Sequence, residues 1–180
     1  MRINKRILWI TQSALFLALI ISTQAGTAAL GQLLTGSLVN MMLILCVMLC
    51  GLAPGLTVAL LSPLFAKLLG IGPLWEIVPL ISAGNAIIVL IWFFIGKIKL
   101  WQKYYVPHIA ALIIGAAAKF LFLFLTVAKL MVPLLNMPAP QAAKISATFS
   151  VTQLFTALIG GALAVIMLPL LKKALKTRQT

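Results

Sequence analysis

The chain has 180 residues, 63% of them hydrophobic, and sets 14 Lys or Arg against one acidic residue, Glu76. A soluble domain carries roughly 25% charged residues, whereas here only 8% are charged and the mean hydropathy is +1.20. These proportions exclude a soluble globular domain and predict a single all-α transmembrane domain over residues 1–180. A span needs about 20 mostly apolar residues, so the chain has room for about six. No Gly-rich loop followed by Lys-Ser or Lys-Thr is present, which leaves no nucleotide-binding module. The basic residues sit between apolar runs and at the ends, a membrane topology signal rather than a nucleic-acid-binding stripe.

The first apolar run, about Ile7–Ala25, follows Arg2, Lys5 and Arg6 and precedes Ala25-Gly26-Thr27-Ala28-Ala29. That arrangement mimics a signal peptide, but the run is long enough for a span and is read as an uncleaved first helix. The second run, about Gly36–Leu52, ends at Ala53-Pro54-Gly55 and contains Cys46 and Cys50 on one face. Buried thiols usually pack as small apolar groups, and no His or carboxylate lies nearby in sequence to complete a metal site. The third run, about Leu56–Leu69, is short and interrupted by Ser62-Pro63; it ends at Gly70-Ile71-Gly72-Pro73. The fourth is about Leu74–Ile95, the fifth about Pro107–Lys129 and the sixth about Ser146–Leu171. His108, the one histidine, opens the fifth run and is read as interfacial.

With six spans, three basic clusters fall on one side: Arg2, Lys5 and Arg6; Lys97, Lys99 and Lys103; and Lys172, Lys173, Lys176 and Arg178. The excess of Lys and Arg on the cytoplasmic side then places both termini inside. Trp92, Trp101, Tyr104 and Tyr105 form an aromatic belt at that boundary. The opposite side holds segments 26–35, 67–75 and 130–144. The first is small and adaptable, as a lid over a pocket would be. The last carries Pro133, Asn136, Pro138 and Pro140, which are expected to prevent a continuous helix.

Polar residues within the runs mark the candidate site, because a polar or charged group in a membrane is expensive to keep. In the outer half these are Gln24, Asn40, Ser62, Lys67, Glu76, Asn85, Lys119, Lys129 and Gln153. At about 1.5 Å per residue, Asn85 lies about 14 Å deeper than Glu76, and Lys119 reaches a similar depth. The expected arrangement is a cavity floored by Asn85 and Lys119 and rimmed by Trp75 and Glu76, with Asn40 and Gln153 among its substrate-binding residues. Each residue also has a plainer reading: a helix N-terminus for Glu76, snorkelling for Lys119, interhelical hydrogen bonds for Asn85 and Gln153, an aromatic belt for Trp75. Trp75, Glu76 and Asn85 together suit a heteroaromatic ring bearing hydroxyl or amino groups, such as pyridoxine or hydroxymethylpyrimidine. Lys67, Lys119, Lys129 and Lys144 suit a carboxylate-bearing molecule such as pantothenate instead. The two readings divide on whether Lys119 faces the ligand or pairs with Glu76. No Ser–His pair or pair of carboxylates is present for hydrolysis, so no enzyme activity, catalytic residue, metal or cofactor is expected.

Three faces rich in small residues let helices approach closely: Ala14 and Ala18; Ala110, Ala111, Gly115 and Ala118; and Gly160-Gly161.

In size, basic start, Gln12-Ser-Ala14-Leu-Phe-Leu-Ala18, Gly51-Leu-Ala-Pro-Gly-Leu-Thr-Val-Ala-Leu-Leu-Ser-Pro and the apolar run around Gly84-Asn85, the whole chain resembles the substrate-binding S component of an energy-coupling factor (ECF) transporter. That family is the vitamin-uptake branch of the ABC transporters. The resemblance implies a multi-pass protein of a bacterial plasma membrane. Its partners would be a transmembrane T component and two ATP-hydrolysing subunits, with Ala14 and Ala18 docking the T component. It also implies that a small water-soluble vitamin binds near the outer face, under the connection between the first two spans. A stand-alone secondary transporter, with Glu76 or Lys119 as proton site, is the alternative class.

Overall fold

The computed structural model describes residues 4–98 and 105–177. Seven helices follow in order: α1 (Lys5–Thr27), α2 (Gln32–Cys50), α3 (Leu52–Leu68), α4 (Val78–Phe94), α5 (Tyr105–Leu123), α6 (Ala139–Thr148) and α7 (Val151–Thr177). Single 3-10 turns at Ala28–Leu30 and Trp75–Ile77 lead into α2 and α4, and α5 runs on through a π-helical stretch, Phe124–Met131, and one further turn, Val132–Leu134. Among the described residues there is no strand.

Among the described residues five segments are long and apolar enough to cross a membrane: Lys5–Leu30, Gln32–Cys50, Trp75–Phe94, Tyr105–Leu134 and Ala139–Leu175. The remaining expected span, the third, corresponds to α3, which is apolar but only 17 residues long. Of the basic and aromatic residues assigned to one boundary, Arg2, Lys99, Lys103, Arg178, Trp101 and Tyr104 lie outside the described residues.

The long helices alternate in direction. Thr35 Oγ1 donates to the Thr27 carbonyl across the α1–α2 turn. Gly55 of α3 lies against Val47 of α2, Gly84 of α4 against Leu123 of α5, and Gly161 of α7 against Leu112 of α5. Gly36 meets Thr156, and Gly160 meets Ser37 and Asn40, so α2 and α7 run side by side in the same direction. In lipid, packing rather than water exclusion holds helices together, and small residues permit the closest crossings. A Cβ on Gly36 would fall 2.9 Å from Thr156 Cγ2, and one on Gly160 2.7 Å from Asn40 Cβ. Glycine at these positions is therefore what brings α2 and α7 together.

The core is contributed by α2, α3, α4, α5 and α7, with Leu43, Ile44, Val47, Val58, Ile88, Trp92, Ala116 and Ala164 fully buried, and α1 adds Ile20. Half of the apolar stretch of α2 is buried (50%) against 11% for α1, so α2 is the central helix and α1 lies at the periphery. A smaller cluster, Ile77, Leu123, Val127, Ile145 and Phe149, packs α6 onto the π-helical end of α5.

Several boundaries depart from the sequence expectation. α3 begins at Leu52 rather than near Leu56, because Gly51 (φ +98) alone makes the turn and Pro54 sits in the first helical turn, where the missing N–H costs nothing. Pro63 lies inside α3 and cannot donate to the Ala59 carbonyl; one residue on, the Leu60 carbonyl accepts from Ser82 Oγ of α4 at 2.9 Å. Segment 26–35 is no adaptable loop: α1 continues to Thr27 and a 3-10 turn plus Gly31 (φ +96) connects it directly to α2. Segment 130–144 is not one continuous helix, as expected, but most of it is helical on either side of the break. Its chain reversal is confined to the stretch around Asn136 (φ 44), and Pro140 falls in the first turn of α6, a position that tolerates proline.

A buried lysine at the floor of the candidate binding cavity

A cavity of about 690 Å³ opens at the end of the bundle where α1 meets α2, within the ~300–1,000 Å³ range of small-molecule sites. Its walls come from the α1–α2 connection (Gln24, Ala28, Gly31, Gln32, Thr35), the α3–α4 connection (Lys67, Ile71, Gly72, Pro73, Leu74) and α6 (Gln141, Lys144, Ile145, Thr148). Asn40, Asn85, Lys119 and Gln153 also line it, and all four are buried.

The floor is built around Lys119. Its Nζ donates to Asn40 Oδ1 of α2 at 2.6 Å and to Asn85 Oδ1 of α4 at 2.7 Å, so one ammonium ties three helices. Asn40 Nδ2 in turn donates to Thr156 Oγ1 of α7 at 3.4 Å, and Thr156 Oγ1 to the Gln153 carbonyl at 3.0 Å. Gln153 Nε2 donates to the Thr148 carbonyl at 3.2 Å, across the junction of α6 and α7. The short Lys–Asn distances are those of charge-assisted bonds. An isolated ammonium in an apolar interior costs several kcal/mol, and two amide oxygens offset part of that cost.

Asn85, Lys119, Gln153 and Asn40 therefore come together as the sequence reading placed them. Trp75 and Glu76 do not join them. Both lie in the 3-10 turn before α4, exposed and absent from the cavity wall although their neighbours Pro73 and Leu74 line it. Trp75 instead offers its ring to Lys67 Nζ, 5.8 Å from the centroid, within reach of a cation–π contact. The ammonium of Lys119 is held by the two asparagines and not by Glu76. The reason is helical spacing: Leu74, Val78, Ile81 and Asn85 line the cavity as one face, and Glu76, nine residues or about two and a half turns before Asn85, falls on the opposite face, with Trp75 beside it. Phe149 is the aromatic residue of the wall, and it is buried in the packing of α6.

Lys67 and Lys144 stand with Lys119 in the cavity wall. Lys129, grouped with them on sequence, does not line it; its Nζ lies 5.4 Å from the Phe124 ring centroid. Thr156 was not legible as a member of the polar floor, nor Gln32, Thr35 and Gln141 as wall residues. The available signal was the pair Gly36 and Gly160, which bring α7 against α2 and so Thr156 against Asn40.

The three small faces separate. Ala111 and Gly115 of α5 and Gly160 and Gly161 of α7 are buried within the bundle. Ala14 and Ala18 of α1 are exposed, in one stripe with Ile7, Thr11, Ser22 and Ala25. Comparison with protein-family models, curated proteins and solved structures finds no match.

Proposed function

We propose that the protein is the membrane-embedded substrate-binding subunit of a multi-subunit vitamin importer of the ECF type. The observation that carries this reading is the cavity itself: about 690 Å³, opening beside the α1–α2 connection, with a polar floor drawn from four helices. Such a floor is costly in an apolar bundle and is accounted for by a small polar ligand. The chain has no nucleotide-binding motif, so binding by itself does not drive uphill movement. Energy would come from a T component and two ATP-hydrolysing subunits, docked on the exposed Ala14–Ala18 stripe of the peripheral helix α1. In a plasma membrane the end bearing Lys5, Arg6, Lys97, Lys172 and Lys173 would face the cytoplasm and the cavity would face outward.

Two measurements test this reading. Small molecules released from the purified protein are identified by mass spectrometry, and uptake is measured in vesicles holding this chain alone. A bound water-soluble vitamin or precursor without net uptake is the expected result. Accumulation driven by an imposed proton gradient would assign the chain to the secondary transporters, with Lys119 as proton site.

A further inference from the structure

We infer that the ligand of this cavity is a small soluble carboxylate, seated with its negative charge on Lys119 and Asn85. The inference rests on the cavity being a substrate site and narrows what that site accepts. Its basis is charge and donor geometry. Three lysines, Lys67, Lys119 and Lys144, line the cavity. The chain's one carboxylate side chain, Glu76, is exposed and outside the wall. Lys119 is therefore a buried ammonium whose hydrogen-bond partners are neutral amides. A lysine has three N–H donors, and two are committed to Asn40 and Asn85.

Those same bonds orient the amides. An ammonium cannot accept a hydrogen bond, so the oxygens of Asn40 and Asn85 face it. The donors left on the floor are the third ammonium proton and the amide N–H bonds of Asn85. A neutral ring presenting N–H or O–H donors would leave the buried ammonium without a counter-charge. An oxyanion meets the remaining donors and supplies the counter-charge that the protein lacks. A second group is set for the rest of the ligand: the side-chain amide of Gln24, on the wall from α1. It can accept from a hydroxyl or amide N–H at the other end of the molecule. The site thus fits a carboxylate that also carries a neutral donor. Lys144, exposed, and Lys67, half-buried, stand nearer the mouth and would draw anions in.

The test uses the purified full chain in lipid nanodiscs, exposed to an equimolar mixture of matched pairs: nicotinate with nicotinamide and pantothenate with pantothenol, plus pyridoxine. Compounds retained after washing, together with any carried through purification, are identified by mass spectrometry and titrated by calorimetry. The expected result is retention of a soluble carboxylate at least tenfold more tightly than its neutral partner. Lys119→Gln should weaken it roughly 10- to 150-fold, the range for losing a hydrogen bond to a charged group. Because Lys119→Gln perturbs the floor, a second variant, Lys67→Gln with Lys144→Gln, is measured too. It should slow association and flatten its salt dependence while leaving the dissociation rate nearly unchanged. A retained neutral compound whose affinity survives Lys119→Gln would overturn the inference and leave the binding-subunit reading standing. Recovery of an anionic phospholipid in place of a soluble carboxylate would also overturn it. A monodisperse protein that retains nothing would remove both.

Discussion

Lys119 Nζ donates to Asn40 Oδ1 at 2.6 Å, linking α5 to the central helix α2 across 79 positions of sequence. The same ammonium holds Asn85 of α4. The charge is thus both a structural tie and the chemical feature of the cavity floor, and its two roles can be separated by mutation.

Asn40→Leu should destabilise the protein by about 1–3 kcal/mol, the cost of leaving a buried polar partner unpaired. The double change Asn40→Leu with Lys119→Met should cost less than the sum of the two single changes, with a coupling of about 0.5–3 kcal/mol, because the orphaned ammonium disappears with its partner. Thermal or denaturant unfolding in detergent measures the cycle. Additive losses would mean that the 2.6 Å contact contributes nothing beyond packing.

Gly160→Ala should be poorly tolerated. Its Cβ would lie 2.7 Å from Asn40 Cβ and 3.0 Å from the Met41 backbone nitrogen, and overpacking of this kind costs about 1–3 kcal/mol. It should also weaken ligand binding, since pushing α7 off α2 separates Thr156 from Asn40. Gly26→Ala is the control: nothing lies within 4 Å of a Cβ there, and removing a glycine from α1 should gain up to about 1 kcal/mol. Equal melting temperatures for the two variants would contradict the close crossing.

Trp75→Ala and Glu76→Gln should each leave ligand affinity within about threefold of wild type, under ~0.7 kcal/mol. Neither side chain lines the cavity. Calorimetry with the retained ligand decides this, and a tenfold loss in either variant would return them to the site.

Ala14→Trp with Ala18→Trp should abolish co-purification with a T component and leave folding and ligand affinity intact. Both alanines are exposed, so the added bulk meets lipid rather than core, but it blocks a close helix contact. Survival of the complex would place the docking surface elsewhere.

Cysteines at Lys173 and Asn136, placed singly in a chain whose Cys46 and Cys50 are replaced by Ser, should label from opposite faces of the membrane. Labelling of both from one face would remove the proposed topology.

Much of the fold is legible in composition and periodicity. Runs of apolar residues about 20 long have one stable form in lipid, the helix, because backbone groups must be satisfied within the segment. Helix order and the polar set Asn40, Asn85, Lys119 and Gln153 follow from that alone, since polar residues stand out against an apolar background. Helix ends were less legible, because Pro54 and Pro140 read as breakers yet occupy first turns.

What sequence by itself determined is therefore the class of solvent, the all-helical class and the identity of the polar residues that must find partners. Tertiary structure alone decided which partners they found. Lys119 pairs with Asn40 and Asn85 rather than Glu76, and Trp75 and Glu76 stay outside the cavity, because the face of α4 turned to it, in line with Leu74, carries Val78, Ile81 and Asn85. It also decided that Ala14 and Ala18 face outward while Gly160 faces Asn40. Small residues permit close approach on any face of a helix; which face is used depends on how neighbouring helices cross, and in lipid that is set by packing between helices rather than by a difference in hydrophobicity.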